Sequence, residues 1–150
     1  MNDQVSPSQA GRAAAVAAEL RAVFGKLKRK MRDQGGPNDW TPSQISVLLT
    51  LEKDGPMTAS GLARVEGMRP QSMSAIIASL LEASLVDGSP DPIDKRQTLM
   101  SLSEKCQKLL HEGRAARQDW LTTKIQKKLT SQEQETLAAA IDLLARLVED

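Results

Sequence analysis

Between residues 69 and 75 lie side chains suited to hydrogen bonding with the edges of DNA bases. Gln71 can present a bidentate amide to adenine, Ser72 can donate or accept a hydrogen bond, and the methyl of Ala75 can contact a thymine methyl. Arg69 precedes them and suits a phosphate or a guanine. These residues share one face if the segment is helical, because positions three and four apart are neighbours there. We therefore predict a base-reading surface.

A second group of polar side chains lies in a short loop and in an upstream segment. Lys95 and Arg96 end the loop and suit the narrow minor groove of A·T-rich DNA, whereas Asp94 is expected to shape the loop. The alternative for each polar residue is an ordinary solvated surface. The complete set of predicted DNA-binding residues is Arg69, Gln71, Ser72, Ser74, Ala75, Lys95, Arg96, Thr58, Ser60 and Arg64.

Catalytic and metal-binding chemistry finds little support in the sequence. Cys106 and His111 are the single members of their types, and their separation of five residues places them on different faces of a helix. Cys106 falls on an apolar stripe, so we predict that it lies in the core. A redox-sensing role would require an exposed and activated thiol. We predict no enzyme, no cofactor and no metal site.

The periodicity of residues 68–102 predicts the elements that position these side chains. A helix is expected over 69–83, then a strand over 85–89, a polar loop over 90–96 and a returning strand over 97–102. The helix would bury one apolar stripe, made of Met73, Ile76, Ile77, Leu80 and Leu81. Its opposite face would carry Gln71, Ser72, Ala75 and Ser79. A helix followed by a hairpin outlines a winged helix-turn-helix.

Upstream, capping and helix-breaking residues predict two further helices. Thr41 and Gln44 match a capping box, and the helix they open should end at residues 54–56. Met57 is expected to add a brief strand beside the hairpin. A short helix over 59–65 would point Val65 inward, and Gly67 would occupy the turn with unusual backbone angles.

Long amphipathic helices are predicted at both ends of the chain, over residues 10–33 and 103–149. The first ends at Gly35-Gly36-Pro37, and Thr130 with Glu133 makes a second capping box. Their apolar stripes are too long for one small domain, so we expect them to pack against a partner helix. The first helix closes with a cationic run that suits either the helix dipole or phosphates: Lys26, Lys28, Arg29, Lys30 and Arg32.

Composition bounds the class of protein. A chain of 150 residues is expected to form one domain, and with one Phe, two Trp and no Tyr its core must be aliphatic. The net charge of +1 gives no global attraction to nucleic acid. A single cysteine fits a reducing compartment, and without a long apolar run or a signal pattern we expect a cytoplasmic protein with no membrane partner.

Three ordered segments resemble the MarR family of bacterial transcriptional regulators. Residues 41–48 and 55–63 resemble that family's second and third helices, and its wing is matched by residues 90–96 (PDPIDKR) and 99–103 (LMSLS). The resemblance implies a mainly α fold with a small β-hairpin wing, in which a winged helix-turn-helix head (41–102) is flanked by N- and C-terminal dimerisation helices. Arg96 occupies the position of the family's wing arginine.

The resemblance also implies partners. A homodimer would bind a pseudo-palindromic operator in double-stranded DNA, with half-sites about one helical turn apart. Family members often bind small aromatic effectors, and the residues that could contact one here are Phe24, Trp40, Met68 and Trp120. We predict a homodimeric, sequence-specific and ligand-responsive repressor. The alternative is a small-molecule or redox sensor, or a protein-interaction module, with weak DNA affinity, because the wing and the recognition helix each sum to zero charge.

Overall fold

The computed structural model describes residues 7–35 and 39–150 and is mainly helical with one small sheet. This fold class confirms the prediction of a winged helix-turn-helix with helices at both ends. Its elements, in chain order, are α1 (Pro7–Arg32), α2 (Pro42–Asp54), β1 (Met57–Thr58), α3 (Ala59–Val65), α4 (Pro70–Glu82), β2 (Val86–Pro90), β3 (Thr98–Leu102), α5 (Glu104–Lys128) and α6 (Ser131–Arg146).

The described residues fall into two compact units. Residues 39–113 form the head unit, and residues 7–35 with 114–150 form the terminal unit. The head unit extends beyond the predicted limit at residue 102, because Cys106 and Leu110 in the first turns of α5 belong to its core. The single-domain organisation over 1–150 stays a prediction.

Side-chain caps place the helix starts where the sequence predicts them. The Thr41 hydroxyl accepts a hydrogen bond from the Gln44 N–H at 3.1 Å, and the Gln44 side chain accepts one from the Thr41 N–H at 2.8 Å. Thr130 and Glu133 repeat this reciprocal pair before α6. Helix α1 begins at Pro7, three residues before the predicted start. Gly36 and Pro37, proposed as part of its stop signal, lie outside the described residues.

The core of the head unit is aliphatic, as the shortage of aromatic residues requires. Its fully buried large side chains are Leu48, Leu62, Met73, Leu80, Leu85, Val47 and Cys106. Strand β3 lies between β1 and β2 in an antiparallel sheet, where Met57 pairs with Met100 and Val86 with Leu102. The brief strand at Met57 is therefore confirmed, and the sheet covers one side of the helix-turn-helix core.

Two predicted core positions are exposed. Leu81 retains 43% of its accessible surface and Val65 retains 57%. Leu81 follows the buried Leu80, and Val65 lies two residues after the buried Ala63; both lie near the C-terminal end of a short helix, past the edge of the apolar contact. The helical period predicted that both side chains face the core, but the core of the head unit does not extend as far as either residue.

The terminal unit leaves the apolar faces of its helices exposed. Phe24 in α1 is 62% exposed, and the other large exposed apolar residues here are Val16, Val23, Leu27, Ile141, Leu143, Leu144, Leu147 and Val148. Among the described residues, none of the helices combines the length and apolarity that a membrane span requires. The exposed faces are instead of the kind that another helix covers.

Candidate nucleic-acid interface

The N-terminus of α4 is open. Arg69 occupies the N-cap position with extended backbone angles, and within the described part of the chain its side chain makes no capping hydrogen bond. Pro70 has no N–H to satisfy, and the Met73 N–H already donates to Arg69 O at 3.1 Å. The N–H groups of Gln71 and Ser72 are thus left at the positive end of the helix dipole, an arrangement that attracts phosphate.

Three predicted base-reading side chains, Gln71, Ser72 and Ala75, are exposed on the first turns of α4. Ser74 is also exposed, but its hydroxyl donates to Pro70 O at 2.9 Å, so only its lone pairs remain for a ligand. Ser79 was predicted to lie on this exposed face, and that prediction is wrong. It is half-buried and accepts a hydrogen bond at 3.0 Å from the Gln44 amide, which thereby ties α2 to α4.

The turn before α4 is held by two devices. Gly67 has a φ of +64° and ends α3 with the paired bonds of a Schellman motif, in which Met68 N–H donates to Ala63 O at 2.8 Å. Beside it, the Glu66 carboxylate accepts hydrogen bonds from Ser46 at 2.6 Å and Thr50 at 2.7 Å, both on α2. The unusual angles at Gly67 were predicted. The Glu66 contacts were not, because their partners lie at least sixteen residues away.

The C-terminus of α4 ends in a second Schellman motif, and here the left-handed residue is not glycine. Ser84 has a φ of +59°, its N–H donates to Leu81 O at 3.0 Å, and the Leu85 N–H donates to Leu80 O at 2.9 Å. The Ser103 hydroxyl then donates to Ser84 O at 2.7 Å. This bond fastens the end of α4 to the start of α5, where Ser103 also caps the helix by accepting the Cys106 N–H.

The wing is the loop between β2 and β3, and a fork-shaped ion pair organises it. The Arg96 Nε donates to Asp94 Oδ1 at 3.0 Å and Nη2 to Oδ2 at 3.2 Å, while the Arg96 N–H also donates to Oδ1 at 3.1 Å. The side-chain hydrogen bond from Arg96 lowers the pKa of Asp94, and the same bond raises the pKa of Arg96. Asp94 therefore shapes the loop, as expected.

Arg96 is nevertheless available to a ligand. Its side chain is 90% exposed, and the bonds to Asp94 leave the other guanidinium hydrogens unused. Lys95 beside it is exposed as well. Ile93 also stands at the wing tip with 96% of its surface exposed. Ile93 was not among the predicted contact residues; an isoleucine between Pro92 and Asp94 in an otherwise polar loop is the signal that could have identified it.

The three upstream candidates differ in their roles. Thr58 caps α3, since its hydroxyl accepts the Gly61 N–H at 3.1 Å and lies 3.2 Å from the Ser60 hydroxyl. Ser60 and Arg64 are exposed. A phosphate contact from any of them stays a prediction, and for Thr58 the capping bond already accounts for the residue.

Cys106 is a core residue, as its place on the apolar stripe predicts. Its side chain is fully buried, and burial, assisted by the charge of Glu52, raises the thiol pKa to about 11. A thiolate is therefore scarce at neutral pH, and the redox-sensor reading finds no support at this residue. His111 is exposed on α5.

The four residues proposed to contact an aromatic effector divide between the two units. Trp40 and Met68 pack against the core of the head unit. In the terminal unit Phe24 is exposed, and Trp120 is half-buried with the Lys124 ammonium 5.9 Å from its ring centroid. Each of the four thus has a packing or surface role within its own unit.

Comparison with known proteins agrees with this arrangement. The sequence model described as the MarR family matches residues 40–98. A helix-turn-helix-type transcriptional regulator of Mycobacterium bovis is 39% identical over 137 residues, which cover 91% of this chain and 95% of that protein. A crystal structure of a transcriptional regulator from Pseudomonas aeruginosa has a TM-score of 0.77 and 31% identity, covering 93% of this chain and 97% of that one. A mutant of Staphylococcus aureus MepR bound to an oligodeoxyribonucleotide shares the fold, with a TM-score of 0.72, 18% identity and coverage of 89% and 98%.

Proposed function

The chain belongs to the MarR family of helix-turn-helix transcriptional regulators, and on that premise we propose that it is a homodimer that binds a pseudo-palindromic operator. One observation carries the proposal. The open N-terminus of α4 presents Gln71, Ser72 and Ala75 to solvent on a helix held at both ends. A surface that is fixed in place and whose side chains make no hydrogen bond to the rest of the described residues can be complementary to base edges in the major groove.

The wing supplies the second contact of the proposal. Arg96 keeps unused guanidinium hydrogens and stands exposed with Lys95, so the pair can enter the minor groove next to the half-site. The ion pair with Asp94 holds the arginine in the wing turn before DNA arrives, which reduces the conformational entropy lost on binding. The solved MepR complex, whose fold this chain shares, contains an oligodeoxyribonucleotide and supports this class of ligand.

We further propose that two subunits associate through the terminal unit. The exposed apolar faces of α1 and α6 support this step, because burying them against a second copy removes a large apolar surface from water. A two-fold axis would then present two copies of α4 to half-sites one helical turn apart, about 34–36 Å along the duplex. Occupation of a promoter by such a dimer excludes polymerase, so we propose repression as the outcome.

A gel-shift experiment with the DNA upstream of the protein's own gene tests the proposal. We expect a sequence-selective shift. Gln71→Ala should weaken the affinity by about 5- to 150-fold, the loss of a good bidentate contact, and Arg96→Ala should weaken it through loss of the minor-groove contact. Gln118→Ala removes an exposed glutamine from α5 in the terminal unit and serves as the matched control. Retention of full affinity in both test variants, or absence of any shift at low salt, would refute the proposal.

Response to a small aromatic effector is a separable part of the proposal. It rests on the resemblance to the family and on Phe24, Trp40, Met68 and Trp120. Titration of the protein with phenolic carboxylates, followed by tryptophan fluorescence and by release of bound DNA, tests it. An effector must bind the state that is incompetent for DNA more tightly than the competent one, so quenching without release counts against regulation.

A further inference from the structure

The last two turns of α1 carry a dense cationic surface. Five cations occupy seven residues, all are exposed, and no Asp or Glu interrupts residues 20–32. The members of this α1 basic surface are Lys26, Lys28, Arg29, Lys30 and Arg32. Within the described residues, no carboxylate oxygen lies within 4.0 Å of any of the five.

The helix dipole does not account for this surface. Favourable interaction with the dipole is confined to the last turn, which contains Arg29, Lys30 and Arg32 but not Lys26 or Lys28. Two like-charged pairs, Lys26 with Lys30 and Lys28 with Arg32, are spaced four residues apart and destabilise the helix. The free protein therefore bears a repulsion that an anionic ligand would relieve.

The head unit has the opposite charge. Residues 39–113 contain seven Lys and Arg against ten Asp and Glu, which gives a net charge of −3. Residues 1–35 have a net charge of +4, with seven cations and three acids. Attraction to the DNA backbone is the main source of sequence-independent affinity, and the head unit as a whole does not provide it.

We propose that the α1 basic surface binds DNA phosphates in addition to those contacted by the head unit and provides most of the salt-dependent part of the affinity. This inference rests on the proposed function and assigns its two components to different elements. Helix α4 and the wing discriminate between sequences, whereas α1 neutralises backbone charge and releases counterions.

The test measures affinity for the upstream duplex by fluorescence anisotropy over a range of KCl concentrations. The double variant Lys26→Gln/Lys30→Gln removes two exposed cations from one row of α1 in each subunit, because positions four apart share a helix face. Lys127→Gln/Lys128→Gln is the matched control, because it removes two exposed lysines from the last turn of α5. Lys26→Arg/Lys30→Arg preserves the charge, and circular dichroism with sedimentation checks that every variant folds and associates as the wild type does.

The slope of log K against log[KCl] is negative, and we expect the α1 variant to reduce its magnitude by about 3.6 per dimer. Binding at ~0.1 M salt should weaken at least tenfold. The control and the arginine variant should retain the wild-type slope. An unchanged slope in the α1 variant, or an equal loss in the α5 control, overturns the inference while leaving the proposed function intact if the wild type binds DNA.

A different anionic partner gives a distinct result. If the α1 basic surface instead serves a lipid membrane, the wild type will sediment with vesicles of anionic phospholipid, the α1 variant will not, and both will bind DNA with the same salt slope. That outcome overturns the inference. If the wild type binds no DNA at low salt, this inference and the proposed function fall together.

Discussion

The ion pair between Asp94 and Arg96 is the part of the wing that we expect to depend on pH. Because the pKa of Asp94 is lowered in the folded chain, the pair contributes stability above the unfolded pKa, whose ordinary value is 3.8, and loses it as the pH falls through the folded pKa. The ion pair between Asp94 and Arg96 is therefore intact at neutral pH and is lost only in strong acid.

This shift predicts the behaviour of two variants. In an NMR titration we expect the pKa of Asp94 to lie below its ordinary value in the wild type and to return toward it in Arg96→Gln, which removes the fork-shaped partner. Lys95→Gln removes the neighbouring cation, which makes no bond to Asp94 in the structure, and should leave the pKa low. A wild-type pKa at the ordinary value would show that the ion pair is absent in solution.

Ser84 is the clearest site of backbone strain among the described residues. A side chain at a positive φ costs roughly 1–2 kcal/mol, and glycine avoids that cost. We expect Ser84→Gly to raise the free energy of unfolding by about 1 kcal/mol in urea denaturation. Ser84→Ala keeps a Cβ and should give no such gain; a comparable gain there would mean that the serine hydroxyl, not the backbone, is responsible.

The thiol of Cys106 should be inert in the native protein. Its burial and its pKa of about 11 keep it protonated, so we expect negligible reaction with a disulfide reagent at pH 8 and rapid reaction after denaturation. Since the folded chain favours the neutral thiol, this group begins to destabilise the fold only when the pH rises above 9.0, the ordinary pKa of a cysteine thiol. Rapid native-state labelling would restore the redox-sensor hypothesis.

At the scale of elements, the orientation of α4 depends on what holds the helices beside it. Glu66 joins the turn before α4 to α2 through Ser46 and Thr50. We expect Thr50→Val and Glu66→Gln to couple by about 0.5–1.5 kcal/mol in a double-mutant cycle of unfolding free energy, and both to weaken DNA binding.

The control for that cycle is a threonine elsewhere. Thr136→Val removes a hydroxyl that donates to Gln132 O in α6, so its coupling to Glu66→Gln should be zero. Equal coupling for both threonines would mean that Glu66 acts through global stability. Loss of stability without loss of DNA affinity would mean that the turn does not orient α4.

The elements also show how far sequence alone predicts this fold. Local signals succeeded: the capping boxes at Thr41 and Thr130 start their helices, and Gly67 takes the predicted left-handed turn. Non-local partners were missed, since nothing near Ser79 reveals that Gln44 binds it from 35 residues away. At the candidate site, exposure of Gln71, Ser72 and Arg96 follows the predicted pattern, but sequence does not show that Asp94 engages Arg96 through both oxygens.

At the scale of the whole molecule, the proposed dimer predicts a mass of about twice 16.3 kDa in sedimentation equilibrium. Phe24→Glu would place a charge on the exposed apolar face of α1 and should dissociate the dimer at micromolar concentration. Val65→Glu changes a similarly exposed apolar residue in the head unit and should leave the mass unchanged. A wild-type mass of one chain would contradict the association.

The uneven distribution of charge has a consequence for how the regulator locates its target. A chromosome offers about 10⁶–10⁹ competing positions, and a protein with a uniformly cationic surface is sequestered by them. In the proposed assignment the acidic head unit opposes the sequence-independent attraction that the α1 basic surface provides, and a matching operator adds base contacts that random duplex lacks. We therefore expect that exchanging one acid for a base in the head unit raises the affinity for random duplex and so lowers the preference for the operator.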